Sequence, residues 1–162
     1  MGSLNNYINE YTAQLRKGQI QKAYKGIMIF MSGLKTYMEN RYPEYIASAL
    51  YFGYMDMTYF AFTPLELKNR KLKIAIIYLH EQNRFEVWLG GTNRNVQTQY
   101  IEMMRHKNIG NYKLSQALPG VDSIIEMRIA EQPDFDHMEE LRLIIESKAI
   151  EFANNILSML SE

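Results

Sequence analysis

Cysteine is absent from the 162-residue chain. Its absence removes disulfides, thiol nucleophiles, iron–sulfur clusters and cysteine-based zinc sites, and it fits a reducing compartment. Proline is scarce, with four residues, and each one reads as an element boundary. Long hydrophobic runs are missing too. The longest, Ile74 to Leu79, has six residues, whereas a membrane-spanning helix needs about 20. Neither sign of charge dominates: 18 Lys plus Arg balance 18 Asp plus Glu, for a net charge of zero. Proteins that hold nucleic-acid phosphates usually carry a basic surplus, so a nucleic acid is not an expected partner. The densest basic cluster, Lys68, Arg70, Lys71 and Lys73, reads as a solvated turn running into a strand. No apolar leader opens the chain. Gly2 lacks the Ser or Thr at position 6 that myristoylation needs, because Asn6 stands there. The expectation is a cytoplasmic protein with no membrane association.

The apolar fraction of 47% and charged fraction of 22% are ordinary globular values. A chain this long makes one domain that buries about 70% of its unfolded surface, without a metal or disulfide staple. Tyrosine is the exception, with 12 residues beside seven Phe and one Trp. Eight of these aromatics crowd into residues 42 to 62: Tyr42, Tyr45, Tyr51, Phe52, Tyr54, Tyr59, Phe60 and Phe62.

Hydrophobic spacing predicts the elements. Leu4, Tyr7, Ile8, Tyr11 and Leu15 recur every three or four residues, the period of an amphipathic helix. Ser3 is its expected N-cap and Gly18 its stop. A second helix follows over about 19 to 40, so the two form an αα-hairpin, and Pro43 ends it. A helical turn is expected through about Ser48, then an aromatic strand from Leu50 to Phe62 that Pro64 terminates. In that strand Met55, Met57, Tyr59 and Ala61 share one face, and Tyr54, Asp56, Thr58, Phe60 and Phe62 the other. Leu72 to Leu79 and Arg84 to Leu89 form a hairpin around Gln82-Asn83. Gly90-Gly91 breaks the second strand, and Thr92 or Asn93 caps a helix to about His106. Residues 107 to 120 read as loop. Residues 121 to 131 read as a fourth strand with Val121, Ile125, Met127 and Ile129 inward. Asp136 and Glu139 offer a capping box for a last helix to Leu160, with Met138 inward. The predicted order is ααβββαβα: a single α+β domain over 1–162, with an N-terminal αα-hairpin, about four largely antiparallel strands and a C-terminal helix.

Motifs for chemistry are sparse. His80, His106 and His137 have no partner at metal-ligand spacing, and His80-Glu81 fails the HExxH zinc pattern because Arg84 occupies its last position. Neither a Walker loop, GxGxxG nor GxSxG occurs. No metal and no cofactor is expected. Gly90-Gly91 leads into a helix start bearing Arg94, where amides and a cation can hold an anion; glycines also simply end strands. Two strand faces mix aromatic and polar groups: Tyr54, Asp56 and Thr58, and Arg84, Glu86 and Trp88. If the faces coincide, they line a concave sheet surface suited to a ligand. Ordinary packing is the alternative, with Arg84 and Glu86 a surface pair and Trp88 in the core. Asp56 followed by Glu66-Leu67-Lys68 also resembles the acid and E-x-K pattern of Mg²⁺-dependent nucleases.

The strings GYMDMTYFAF (53 to 62), RFEVWLGGTNR (84 to 94), and DSIIE (122 to 126) with the later PDF (133 to 135) resemble a family of uncharacterised bacterial proteins of similar length. That family is a domain of unknown function, and the resemblance covers almost the whole chain. It implies a bacterial, stand-alone, cytoplasmic protein and transfers no catalytic residue. From the residues themselves the leading expectation is a small-molecule or peptide binding module built on Tyr54, Asp56, Thr58, Arg84, Glu86, Trp88 and Arg94. One alternative is a homodimer through the aromatic strand, since Tyr, Trp, Phe and Met are enriched at interface cores. The other is a weak Mg²⁺-dependent nuclease using Asp56, Glu66 and Lys68.

Overall fold

The structure, a computed structural model, describes residues 2–161. Its elements are α1 (Leu4–Lys17), α2 (Gln19–Arg41), β1 (Tyr45–Ala47), β2 (Met57–Pro64), α3 (Leu65–Asn69), β3 (Leu72–Leu79), β4 (Arg84–Gly91), α4 (Arg94–Met104), β5 (Lys113–Leu114), β6 (Ser123–Glu131) and α5 (Met138–Leu160). The α+β class, the two N-terminal helices, the antiparallel sheet and the C-terminal helix stand as expected. The sheet has six strands rather than four, in the order β1-β2-β3-β4-β6-β5, and every pairing is antiparallel.

The two extra strands are very short and lie at the sheet edges. β1 replaces the helical turn expected before Ser48, and β5 falls inside the expected 107–120 loop. Runs of two or three residues carry too little periodicity to be read locally; pairing with β2 and β6 makes them strands. A short helix, α3, occupies the expected loop after Pro64 and buries Leu67.

The aromatic strand begins at Met57, not Leu50. Tyr51 touches it through an isolated bridge to Tyr59, but the chain bends in between. Gly53 has φ 76° and Met55 φ 65°. A Cβ on Gly53 would overlap the Met57 carbonyl oxygen, so only glycine closes this bend.

One core lies between the helices and one sheet face. Phe60 and Phe62 of β2, Ile74, Ile76 and Tyr78 of β3, and Phe85, Val87 and Leu89 of β4 point into it. They meet Phe30, Met31, Leu34 and Met38 of α2, Ile101 and Met104 of α4, and Leu141, Ile145, Phe152 and Ile156 of α5. Two register shifts between β4 and β6 leave Ile124 and Ile129 as extra residues in β6, and both are buried. These bulges break the simple alternation predicted for 121–131.

Between α2 and α5 the buried Glu146 carboxylate accepts from Arg41 Nε at 2.8 Å, the Tyr42 hydroxyl at 2.8 Å and the Tyr37 hydroxyl at 3.1 Å. The guanidinium of Arg142 lies 4.2 Å from the centre of the Tyr37 ring. The cluster ties the end of α2 to the middle of α5.

At the start of α5 the expected capping box does not form. The N-cap is His137, without a side-chain hydrogen bond to the helix. Asp134 instead accepts from the Asp136 amide and pairs with His137 Nδ1 at 2.7 Å. Met138, expected inward, is exposed. By contrast, Ser3 caps α1 through the Asn6 amide and Asn93 caps α4 through the Val96 amide.

Candidate functional site

The β3–β4 hairpin sets the site. Its turn is held by the Asn83 amide donating to the His80 carbonyl at 3.2 Å and by the Tyr78 hydroxyl donating to Asn83 Oδ1 at 2.7 Å. From the pair Leu79 and Arg84, the register runs to Ile77 opposite Glu86, Ala75 opposite Trp88 and Lys73 opposite Gly90. On β2, Tyr59 faces Ile77 and Met57 faces Leu79. These residues share the sheet face turned away from the core.

Arg84, Glu86 and Trp88 form one row on that face. Glu86 is 3% exposed; one carboxylate oxygen accepts from Arg84 Nε at 2.6 Å and the other from Trp88 Nε1 at 2.8 Å. Two donors on two oxygens fix the indole in place. Trp88 thereby becomes a wall of a groove of about 340 Å³, at the small end of the range for ligand sites.

The groove's other walls are Tyr59 and Ile77 of the sheet, the Gly90–Arg94 corner, and Asp122 and Ser123 at the start of β6. Gly91 is required here for close packing, because a Cβ would sit 2.9 Å from the Gln97 amide nitrogen and 3.0 Å from Val96 Cγ1. Gly90 leaves the floor open, and the Lys73 side chain lies across it: a Cβ on Gly90 would meet Lys73 Cε at 3.6 Å.

Gln97 clamps the corner. Its side-chain NH₂ donates to the carbonyls of Val121 at 2.8 Å and Ser123 at 3.1 Å, and its carbonyl oxygen accepts from Arg94 at 2.8 Å. Arg94 also donates to the Val121 carbonyl and stands 3.4 Å from the Asp122 carboxylate. Ser123 donates to Glu126 at 2.5 Å and accepts from Ser115 at 2.6 Å. Lys73 forms no ion pair among the described residues. The groove therefore combines the Lys73 ammonium, the Arg94 guanidinium with Asp122 beside it, and the start of α4, where the helix dipole adds positive potential, with the aromatic walls of Tyr59 and Trp88.

The seven residues singled out from sequence divide. Trp88 and Arg94 line the groove, and Arg84 and Glu86 orient Trp88. Tyr54, Asp56 and Thr58 do not join them. Thr58 pairs with Tyr78 and so points to the core side; it is fully buried, donates to the Phe52 carbonyl at 2.7 Å and meets His80 Nε2 at 2.8 Å. Tyr54 is 90% exposed, outside β2. Asp56 accepts from the Tyr54 amide at 2.9 Å. That bond, with the Met57 amide, holds its carboxyl below the usual carboxylate range. The two strand faces thus do not coincide: Thr58 shares the core face of β2 with Phe60 and Phe62, and Tyr54 and Asp56 lie before β2, beyond the bend at Gly53 and Met55.

The nuclease reading fails on geometry. Asp56 precedes the first residue of β2 and Glu66 follows its last, so a strand of eight residues separates them, roughly 26 Å at strand rise. Glu66 pairs with Arg70 on α3. Among the described residues no group of three His, Asp or Glu side chains is placed to hold a metal ion. In the aromatic strand itself Phe60 and Phe62 are core residues, so the exposed aromatics of that region are Tyr51, Phe52 and Tyr54. Tyr59, Lys73, Gln97 and Ser123 went unremarked as site residues. The signal for Lys73 was available, since counting back from the hairpin turn sets it opposite Gly90.

Fold and site together define an α+β domain with a groove of aromatic and charged walls on the sheet face turned away from the core. The chain belongs to the family described as a domain of unknown function, DUF7000, whose match spans residues 4–160. No curated protein and no solved structure matches it. No helix among the described residues is long and apolar enough to cross a membrane.

Proposed function

We propose that this protein is a small-molecule binding module, and that its ligand is a compact planar acid held in the groove between Trp88 and the start of α4. The Lys73 side chain, unpaired among the described residues and lying against Gly90 in the same groove as the Trp88 indole, carries this reading. A carboxylate or phosphate sits where Lys73, Arg94 and the α4 dipole add their attraction. A flat apolar body stacks between Tyr59 and Trp88. The volume suits a small molecule better than a peptide. Lys73 and Arg94 bind and orient the anion, with the one carboxylate of the wall, Asp122, standing beside Arg94, and binding rather than catalysis is the proposed role. A bacterial and cytoplasmic setting completes this reading and rests on the family resemblance.

Trp88 is the single tryptophan, so intrinsic fluorescence reports from inside the groove. The test is a titration of aromatic carboxylates and nucleoside monophosphates followed by Trp88 emission. Saturable quenching by at least one compound is expected, weakened about tenfold or more in Lys73→Glu, which reverses a charge beside the ligand's anion. The reading fails if no compound in either class alters emission, or if Lys73→Glu binds as tightly as the parent.

A further inference from the structure

We infer that α1 is a self-association surface, through which two copies of the chain pair helix against helix, antiparallel about a two-fold axis. None of its residues is buried, yet it carries a continuous apolar stripe. Leu4 is 72% exposed, Tyr7 60%, Ile8 47% and Tyr11 57%. Successive 100° steps place these four and Leu15 within a ~100° arc. The main packing partner of α1 is α2. Isolated helices of 14 residues are marginal in water, so a helix with no fully buried residue gains most from a partner on its apolar stripe.

Three features select a second copy as that partner. The first is spacing. Leu4, Ile8, Tyr11 and Leu15 follow a 4-3-4 pattern, the seam spacing of helix pairs. The pattern reads the same in both directions, so a two-fold axis between residues 9 and 10 sets Leu4 against Leu15 and Ile8 against Tyr11 of the other copy. Self-complementarity of this kind is what an isologous dimer requires.

The second is charge. The positions flanking the seam, Asn5, Thr12 and Gln14, are uncharged, while Glu10, Arg16 and Lys17 lie farther round the helix. Nothing repels an identical helix, and the chain has zero net charge. A membrane surface fits less well, since interfacial helices carry a polar face rich in Lys and Arg. The third is area. Taking about 200 Å² for a fully exposed large side chain, the stripe with the neighbouring Ile20 offers roughly 500 Å² per copy, close to the ~600 Å² per partner at the low end for specific dimers.

Sedimentation of the full chain across the micromolar range tests the pairing. The wild type is expected to shift from one chain mass to two with rising concentration. Ile8→Lys alone and Tyr11→Glu alone are each expected to remain monomeric, with unchanged circular dichroism because both side chains are exposed. An equimolar mixture of these two variants is expected to recover association, because the introduced ammonium of one copy then faces the introduced carboxylate of the other across the axis. A wild type that stays monomeric, or a single variant that dimerises like the wild type, overturns the proposal. Failure of the mixture to recover overturns the two-fold antiparallel register. Co-sedimentation of a monomeric wild type with anionic vesicles would assign the stripe to a membrane surface instead.

Discussion

Replacing Glu86 by glutamine changes one oxygen to an NH₂ and leaves the shape intact. The structure makes that small change costly. Both carboxylate oxygens of Glu86 accept, one from Arg84 and one from the indole of Trp88, so either orientation of the amide sets a donor against a donor. Hydrogen bonds to a charged group contribute about 1.5–3 kcal/mol each. One is lost outright and the other loses its charge. Arg84 is only partly covered and recovers hydration by swinging outward, which limits the penalty. The expected cost is about 2–3 kcal/mol, or roughly 5–10 °C in Tm for a domain of this size.

The assay is urea unfolding followed by circular dichroism, with acrylamide quenching of Trp88 in the native state. Quenching should rise, because the indole is no longer held against the sheet. Arg84→Met completes a double-mutant cycle, and a coupling of about 1 kcal/mol or more is expected between neighbours sharing a charge. A cost below about 0.5 kcal/mol with unchanged quenching would refute the claim that Glu86 positions the groove wall.

Glu146→Ala should destabilise by about 2–4 kcal/mol in the same unfolding assay, since it strips the acceptor from Arg41, Tyr37 and Tyr42 at once; a loss under about 1 kcal/mol would show that water replaces it. Gly91→Ala should cost about 1–3 kcal/mol through its approach to the α4 backbone, and more than Gly90→Ala, whose nearest neighbour is 3.3 Å away; equal costs would contradict the packing described. Burial pushes the His80 imidazole below its ordinary value, opposed by nearby Asp56. The unfolded state therefore takes up that proton first, and this contribution to stability is present above about pH 6.5 and lost as pH falls below it. His137 is raised by Asp134 and works in the opposite sense, present at low pH and lost as pH rises. Unfolding measured from pH 7.5 to 5.5 should therefore show His80→Gln losing less stability on acidification than the parent; parallel curves would sink this assignment.

Local signals carried far in this chain. Ser3, Asn93 and Gly18 mark helix ends because their side chains or backbone satisfy groups that a helix leaves open. The β3–β4 hairpin was legible because alternation and its turn lie within a short window. The groove was half legible: Trp88 and Arg94 were found, while Lys73 needed the register and Gln97 and Ser123 needed α4 folded back over the start of β6. The row of Arg84, Glu86 and Trp88 held because spacing of two in an unbroken strand guarantees one face. Tyr54 and Asp56 show where the same rule stops, because the positive-φ residues Gly53 and Met55 end the strand before it reaches them, while Thr58 keeps the alternation and so faces the core with Phe60 and Phe62.

By itself the sequence determined the α+β class, the four long helices, the central hairpin and the absence of thiol chemistry. These follow from periodicity, caps and composition, which act over a few residues. Only the tertiary structure decided the edge strands, the bulges that turn Ile124 and Ile129 inward, and the distance that separates Asp56 from Glu66. It also decided that Lys73, Trp88 and Arg94 share a groove, and that Leu4, Tyr7, Ile8 and Tyr11 of α1 stay exposed. Those outcomes depend on which strand lies beside which, a long-range choice made by burying the whole apolar face of the sheet at once.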